Sequence, residues 1–171
     1  MNKLIYRNIL SFLLLLFLQI YIFNNIGLFG YLNPYVYVLF ILLLPLEIPR
    51  SLLLILAFLM GLSIDYFSNT IGINIAASVL IAYLRPGLIR VLSQKIDLDP
   101  GLKIGIRDFG FAWFFSYTTV LVVIHHLALF YLEVFRFNEF FDTLRRSLLS
   151  AIFTIIIIIL SQYLFYPHKK H

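Results

Sequence analysis

The chemically most versatile side chains lie between two apolar runs, in the stretch from Phe58 to Leu84. Among them Asp65 stands out, because an aspartate in the middle of a bilayer costs about 2.5 to 3.5 kcal/mol on insertion scales. Three interpretations follow for its carboxylate. It caps a turn through the backbone amides of Phe67, Ser68 or Asn69, it serves packing or contacts a partner, or it carries protons or ions.

The other candidates for chemistry are His125 and His126. Neighbouring residues on a helix point about 100° apart, so these two imidazoles are poorly placed to bind one metal ion. We therefore predict interfacial or hydrogen-bonded histidines. The chain has no cysteine, which excludes thiolate catalysis and cysteine-ligated metals, and it has no nucleotide-binding loop or serine-hydrolase motif. The sequence predicts no enzyme, no metal and no cofactor.

The polar residues between Phe58 and Leu84 follow a helical repeat. Two sets recur every four positions, which are Ala57, Gly61 and Asp65, and Thr70, Asn74 and Ser78. Because positions four apart share a face, each set forms one stripe on a helix of a predicted hairpin. Such stripes usually hydrogen-bond and pack helices together inside a membrane. A cavity lined for a ligand is the alternative.

The amino-acid composition indicates that these predicted helices lie in a membrane. Of the 171 residues, 62% are hydrophobic and 12% charged, and the mean hydropathy is +0.98, whereas soluble domains have about 25% charged residues. We predict an all-α polytopic membrane protein with six transmembrane helices in one domain, residues 1–171. The predicted helices cover about 4–23, 34–48, 51–66, 70–84, 109–132 and 148–165, with interfacial amphipathic segments at about 86–96 and 136–146.

The positive charges predict the orientation. With six spans, only Arg136, Arg145 and Arg146 of the 13 Lys and Arg residues fall on the side opposite the N-terminus. By the positive-inside rule both termini are cytoplasmic and the hairpin tip faces outward. The net charge of +5 thus reflects membrane topology, and no nucleic-acid partner is expected. Gln19 shares a face of the uncleaved first helix with Asn8 and Ser11, and this face is predicted to point at protein.

Several short motifs stand in order along the first half of the chain, namely Leu18–Ile20, Asn33–Val36, Gly61–Asp65, Gly72 and Ala82–Leu84. Together they resemble the MreD family of membrane rod-shape-determining proteins. Length and span order also agree, whereas the part after Arg85 resembles the family in length and topology only. The motif residues that carry over are Gln19, Pro34, Gly61, Asp65 and Gly72, and Asn74 joins them from the hairpin stripe. The tip departs from the family pattern, since Asn69, Thr70 and Ile71 stand where Gly or Ser is expected.

The resemblance implies a non-enzymatic scaffold of the bacterial cell-elongation complex in the cytoplasmic, or inner, membrane. Its main implied partner is MreC, with RodA and a transpeptidase penicillin-binding protein in the same assembly, MreB linked indirectly, and membrane lipids around it. The implied fold is similar to the substrate-binding component of energy-coupling-factor transporters. The alternative function is accordingly a vitamin-binding membrane subunit of such a transporter. Against it, the first helix has Leu13–Phe17 where such subunits usually show alanines spaced by four.

Overall fold

The structure, a computed structural model, describes residues 2–26, 32–94, 101–134 and 140–165, with side chains from residue 6 onward. These residues are 83% helical and contain no strand. The long apolar runs form helices because only a helix satisfies all of its own backbone hydrogen bonds in lipid.

The chain forms eight α-helices and one π-helical turn within the described ranges. They are α1 Asn2–Leu18, the π-turn Gln19–Phe23, α2 Asn24–Ile26, α3 Val38–Leu43, α4 Arg50–Ser68, α5 Ile73–Leu92, α6 Ile106–Phe109, α7 Phe111–Val134 and α8 Phe140–Phe165. Five stretches are long and apolar enough to cross a membrane, namely Tyr6–Ile26 and the helices α4, α5, α7 and α8. The molecule is thus all-α and has the helices of a multi-pass membrane protein.

The second predicted helix, 34–48, is wrong in extent. Only α3 is helical there, with six residues, and it is too short to cross a bilayer alone. Prolines explain both limits, since Pro34 precedes an irregular segment and Pro45 lacks the amide that would continue the helix. From Val38 to Leu42 every side chain of α3 is buried. The segment therefore lies inside the protein, where irregular backbone is tolerated at membrane depth.

Two predicted interfacial segments are also corrected. Residues 86–92 do not form an interfacial helix of their own, because they are the end of α5, which runs without interruption through Pro86 to Leu92. Proline is tolerated inside membrane helices when neighbouring groups satisfy the freed backbone. The segment 136–146 likewise merges from Phe140 onward into α8, and residues 135–139 lie outside the described ranges. Residues 95 and 96 also lie outside them.

The helices pack as antiparallel neighbours around α3. Buried side chains of α3 form one core with residues of α4, α5, α7 and α8, among them Met60, Ile81, Phe114 and Ile158. The turn between α4 and α5, residues 69–72, marks one end of the bundle, which we call the tip end. Asn24 reaches it by donating to Ser68 Oγ at 3.1 Å. The N-terminal part of α1 and the start of α4 therefore lie at the opposite end.

Candidate functional site

Asp65 lies at the tip end of α4 and caps the next helix. Its Oδ1 accepts the backbone amide of Asn74 at 3.1 Å, and its Oδ2 accepts that of Ile75 at 2.9 Å. These amides belong to the first turn of α5, whose N-cap position is Gly72 and offers no side chain. The carboxylate of one helix thus supplies the acceptor missing from the next, at the end where the helix dipole favours an anion.

The side chains of Thr70 and Asn74 complete the coordination of Asp65. Thr70 Oγ1 donates to Oδ1, and Asn74 Nδ2 donates to the same oxygen at 3.0 Å. The carboxylate therefore receives four hydrogen bonds and is only 3% exposed. The cap predicted on the amides of Phe67, Ser68 or Asn69 is wrong in its donors, because the partners are Thr70 in the turn and residues at the start of α5.

The turn between the two helices requires left-handed backbone at two positions. Asn69 has φ 53° and Gly72 has φ 76°, a region that glycine and asparagine enter at least cost. Asn69 thus adopts the left-handed backbone conformation that a glycine would provide in a Gly-rich tip. Glycine is required at position 72 by the backbone conformation and not by lack of space, because nothing lies within 4 Å of the position that a Cβ would take.

Gly61 lets the two helices of the hairpin approach at backbone distance. A Cβ on Gly61 would lie 2.6 Å from Ile75 Cα and 2.7 Å from the Asn74 carbonyl oxygen. Since α4 and α5 touch through their backbones here, only glycine fits. The same approach brings the amides of Asn74 and Ile75 within reach of Asp65, one helical turn further along α4. Gly61 and Asp65 therefore both stabilise the contact between α4 and α5.

Tyr37 connects this hairpin to the rest of the bundle. Its hydroxyl lies 3.1 Å from Asn74 Oδ1, 2.8 Å from His125 Nε2 and 3.4 Å from Ser78 Oγ. Tyr37, Ser78 and His125 are fully buried. We call the set Asp65, Thr70, Asn74, Ser78, Tyr37 and His125 the buried polar network. It joins α4, α5, α7 and the irregular segment before α3.

The hydrogen-bond donors of the buried polar network are oriented toward Asp65. Asn74 Nδ2 donates to Asp65 and to Thr70 Oγ1, so its Oδ1 is the acceptor for the single proton of the Tyr37 hydroxyl. The Tyr37 oxygen must then accept from His125, which places the imidazole proton on Nε2. His125 Nδ1 is the unprotonated nitrogen, and it has no partner among the described residues. Each hydrogen bond leads toward the carboxylate.

Gln19 and Pro34 meet at the irregular segment. Gln19 Nε2 donates to the Pro34 carbonyl at 3.1 Å, while Gln19 Oε1 accepts the backbone amide of Tyr37 at 3.2 Å. On the other side, Thr154 Oγ1 accepts the amide of Tyr35 at 3.0 Å. These side chains provide the hydrogen bonds that a regular helix would have made internally. The buried position of Gln19 at the π-turn agrees with the predicted protein-facing side of the first helix.

The other end of α3 is held by Arg85 and Tyr117. Arg85 donates to the carbonyls of Leu44 and Pro45 and, through Nε, to Tyr117 Oη at 2.9 Å. Tyr117 Oη in turn donates to the Leu42 carbonyl at 3.0 Å. A guanidinium at a helix C-terminus satisfies orphan carbonyls and complements the helix dipole. The predicted helix 70–84 ends too early, since α5 continues through Arg85, which is 1% exposed.

His126 belongs to a second contact, between α7 and α8. Its Nδ1 lies 2.8 Å from the Val122 carbonyl, and its Nε2 lies 3.0 Å from Thr154 Oγ1. His125 and His126 therefore face different neighbours, as their spacing predicts, and both are buried and hydrogen-bonded. Within the described ranges, no three His, Asp or Glu side chains are grouped so as to hold a metal ion.

The structure brings the predicted site residues into one region near the tip end. Gln19 and Pro34 contact each other, Asp65 binds Asn74, Gly61 packs under Asn74, and Gly72 begins α5. Four residues of these contacts were not among the predicted site residues, namely Tyr37, Arg85, Tyr117 and Thr154. The sequence feature that indicates such residues is the pair of prolines around a helix that is too short to cross the membrane. Irregular backbone at membrane depth requires polar partners from elsewhere in the protein.

No protein-family model, curated protein or solved structure matches this chain.

Removing the Tyr37 hydroxyl is expected to destabilise the protein without unfolding it. Tyr37→Phe leaves Asn74 Oδ1 and His125 Nε2 without their partner, and each unsatisfied buried polar group costs about 1 to 3 kcal/mol. The free energy of unfolding in mixed micelles, followed by circular dichroism, measures the loss. Tyr83→Phe is the matched control, because Tyr83 is 72% exposed. Equal stability of the two variants would contradict the assigned role of Tyr37.

Proposed function

We propose that this chain is an MreD-type scaffold of the bacterial cell-elongation complex in the cytoplasmic membrane. The observation that supports it is the convergence of the motif residues. These residues come from separate stretches of sequence, and in the structure they secure one hairpin and the irregular segment beside it, namely Gln19, Pro34, Gly61, Asp65 and Gly72. Residues that share one structural task are expected to recur together in a family.

The use of the polar groups also supports a scaffold. Asp65, Asn74, Tyr37 and Arg85 direct their hydrogen bonds to other parts of the same chain. Each of these bonds joins separate segments, so their common effect is a fixed interior. A protein that positions others in a membrane benefits from such an interior, because its outer faces then hold a constant geometry.

The proposed topology has six crossings, with both termini cytoplasmic. Five are the long helices, and the sixth is residues 34–49, which run from the Gln19 contact to the opposite end, where Leu43 and Arg7 line one cavity. Arg7, Arg50 and Lys103 lie together at that end, which agrees with a cytoplasmic surface. The same crossings are the basis for the proposed similarity to the substrate-binding component of energy-coupling-factor transporters.

The proposed partner is the transmembrane helix of MreC, with RodA and the transpeptidase in the same assembly and MreB reached indirectly. We assign the contact to the outer face of α1. Only 11% of the Tyr6–Ile26 span is buried, against 33 to 44% for the other four. Leu13 and Phe17 are more than half exposed and lie four residues apart on this face. The equally exposed Tyr21 of the following π-turn extends the face, with its ring 4.6 Å from that of Phe17.

Site-specific photo-crosslinking tests this assignment in a rod-shaped bacterium whose own MreD is replaced by this chain. Probes at Leu13 and Phe17 are expected to capture MreC, and the complemented cells are expected to stay rod-shaped. Probes at Ile152 and Ile156, on the exposed face of α8, are the control. Round cells together with equal capture from both helices would refute the scaffold proposal.

The alternative is the vitamin-binding subunit, and one observation favours it. A cavity of about 660 Å³ lies between α1, α3 and α8, within the range of roughly 300 to 1,000 Å³ that is typical of small-molecule sites. A vitamin recovered in stoichiometric amount with the purified protein would favour this function over the scaffold.

A further inference from the structure

The cavity between α1, α3 and α8 is amphipathic. Its walls are mostly apolar, with Leu14, Leu15 and Leu18 from α1 and Leu39 and Phe40 from α3. One end differs, because Arg7, Lys103 and Arg107 lie there together with a single acidic residue, Asp108. The cavity thus has an apolar body and a basic end.

The cavity is open on the side of α1. Leu10 and Leu14 line it and are 65% and 51% exposed, so lipid chains have direct access to it. From Arg7 to Leu18 the helix rises about 16 Å, which is close to half of the roughly 30 Å hydrocarbon thickness. Phe23 lies beyond, at the deep end. These dimensions match one leaflet of a bilayer.

A second cavity, of about 550 Å³, adjoins the basic end. It shares Arg7 and Lys103 with the first and adds Arg50 and Arg85, with Glu47 as its acidic residue. Arg85 is held by main-chain carbonyls and Tyr117, and no carboxylate forms an ion pair with it in the described ranges. The two cavities together have five basic and two acidic residues in their walls. This excess attracts an anion.

The geometry points to a binding site for an anionic phospholipid of the cytoplasmic leaflet. An acyl chain occupies the apolar cavity along α1, and the phosphate group lies against Arg7 and Lys103. Lys and Arg are the usual partners of phosphate, and each basic side chain near an anionic lipid surface adds about a factor of five in binding. A compact water-soluble metabolite would leave the long apolar wall uncovered, whereas a phospholipid matches both parts.

Native mass spectrometry of the purified chain tests the site, with phosphatidylglycerol, phosphatidylcholine or inorganic phosphate added. The wild-type protein is expected to retain one phosphatidylglycerol in preference to phosphatidylcholine. The double variant Arg7→Gln with Lys103→Gln is expected to bind it about thirtyfold more weakly. Arg90→Gln is the matched control, because Arg90 is exposed at the same end and lines neither cavity.

A second variant tests the apolar part without changing charge. Ser11 lines the cavity, and Ser11→Trp is expected to fill it and displace the lipid even where the charge variant folds poorly. Equal retention of phosphatidylcholine would overturn the proposal. So would displacement of phosphatidylglycerol by inorganic phosphate, which indicates a headgroup site with no acyl chain, or an equal loss of binding with Arg90→Gln.

Discussion

Asp65→Ala is expected to lower the free energy of unfolding by about 3 to 5 kcal/mol. The change removes the acceptor of two backbone amides, those of Asn74 and Ile75, and of two side-chain donors. Each buried donor left unsatisfied costs about 1 to 3 kcal/mol. The first turn of α5 also loses the anion that its dipole favours. Few single substitutions outside the apolar core are expected to cost as much.

Unfolding in mixed micelles measures this effect, followed by circular dichroism and by fluorescence of the single tryptophan, Trp113. Asp142→Ala is the matched control, since Asp142 is exposed in the first turn of α8 and its loss costs about 1 kcal/mol or less. Asp65→Asn is expected to fall between the two, because the amide keeps one acceptor oxygen. A loss at Asp65 no larger than at Asp142 would refute the capping role.

The hairpin was the part of the fold that could be predicted best from sequence. Its stripes follow the helical repeat, which is a local property, and the structure places Ala57, Asp65, Asn74 and Ser78 in the buried interface. Thr70 is the exception, because it lies in the turn before α5 and not on the helix. The cost of a carboxylate in a membrane also identified Asp65 as a residue that needs partners. The identity of those partners could not be predicted, because they depend on how closely α4 and α5 approach.

The segment around α3 was the part that could not be predicted. Its prolines indicate a broken helix, but the hydrogen bonds that replace the missing ones come from Gln19, Thr154 and Arg85, which lie far away in sequence. Arg85 beside Pro86 has the local pattern of a helix end. It lies inside a helix because the carbonyls at the end of α3 need a donor at that place.

The same features explain why the polar residues of this membrane protein concentrate around one segment. Lipid exerts little drive for helices to associate, so packing and hydrogen bonds between helices determine how they assemble. In the described part of the chain, Tyr37 is bound at its amide by Gln19 and at its hydroxyl by Asn74 and His125. Helices from both halves of the chain are therefore joined at one residue, and the bundle is expected to fold as one cooperative unit.

Gly61→Ala is the second substitution with a large expected effect. The added methyl would lie 2.6 Å from Ile75 Cα and 2.8 Å from the Ile75 amide nitrogen, and backbone atoms cannot rotate away as a side chain can. The helices must separate, and we expect a loss of about 3 kcal/mol or more in the free energy of unfolding, at the upper end for overpacking. Gly87→Ala is the matched control. Gly87 lies inside α5 with no atom within 4 Å of the Cβ position, so the change should stabilise the helix by about 0.5 to 1 kcal/mol.

The double variant of Gly61→Ala and Asp65→Ala separates the close approach from the cap. Separating α4 from α5 moves the amides of Asn74 and Ile75 away from the carboxylate, so Gly61→Ala already weakens the hydrogen bonds that Asp65→Ala removes. The double variant is therefore expected to lose about 1 to 2 kcal/mol less than the sum of the single losses, a coupling typical of residues that share a contact. Strict additivity would mean that the cap tolerates the separation, and that Gly61 and Asp65 act independently. The coupling thus tests whether the hairpin is one structural unit, which the proposed scaffold role requires.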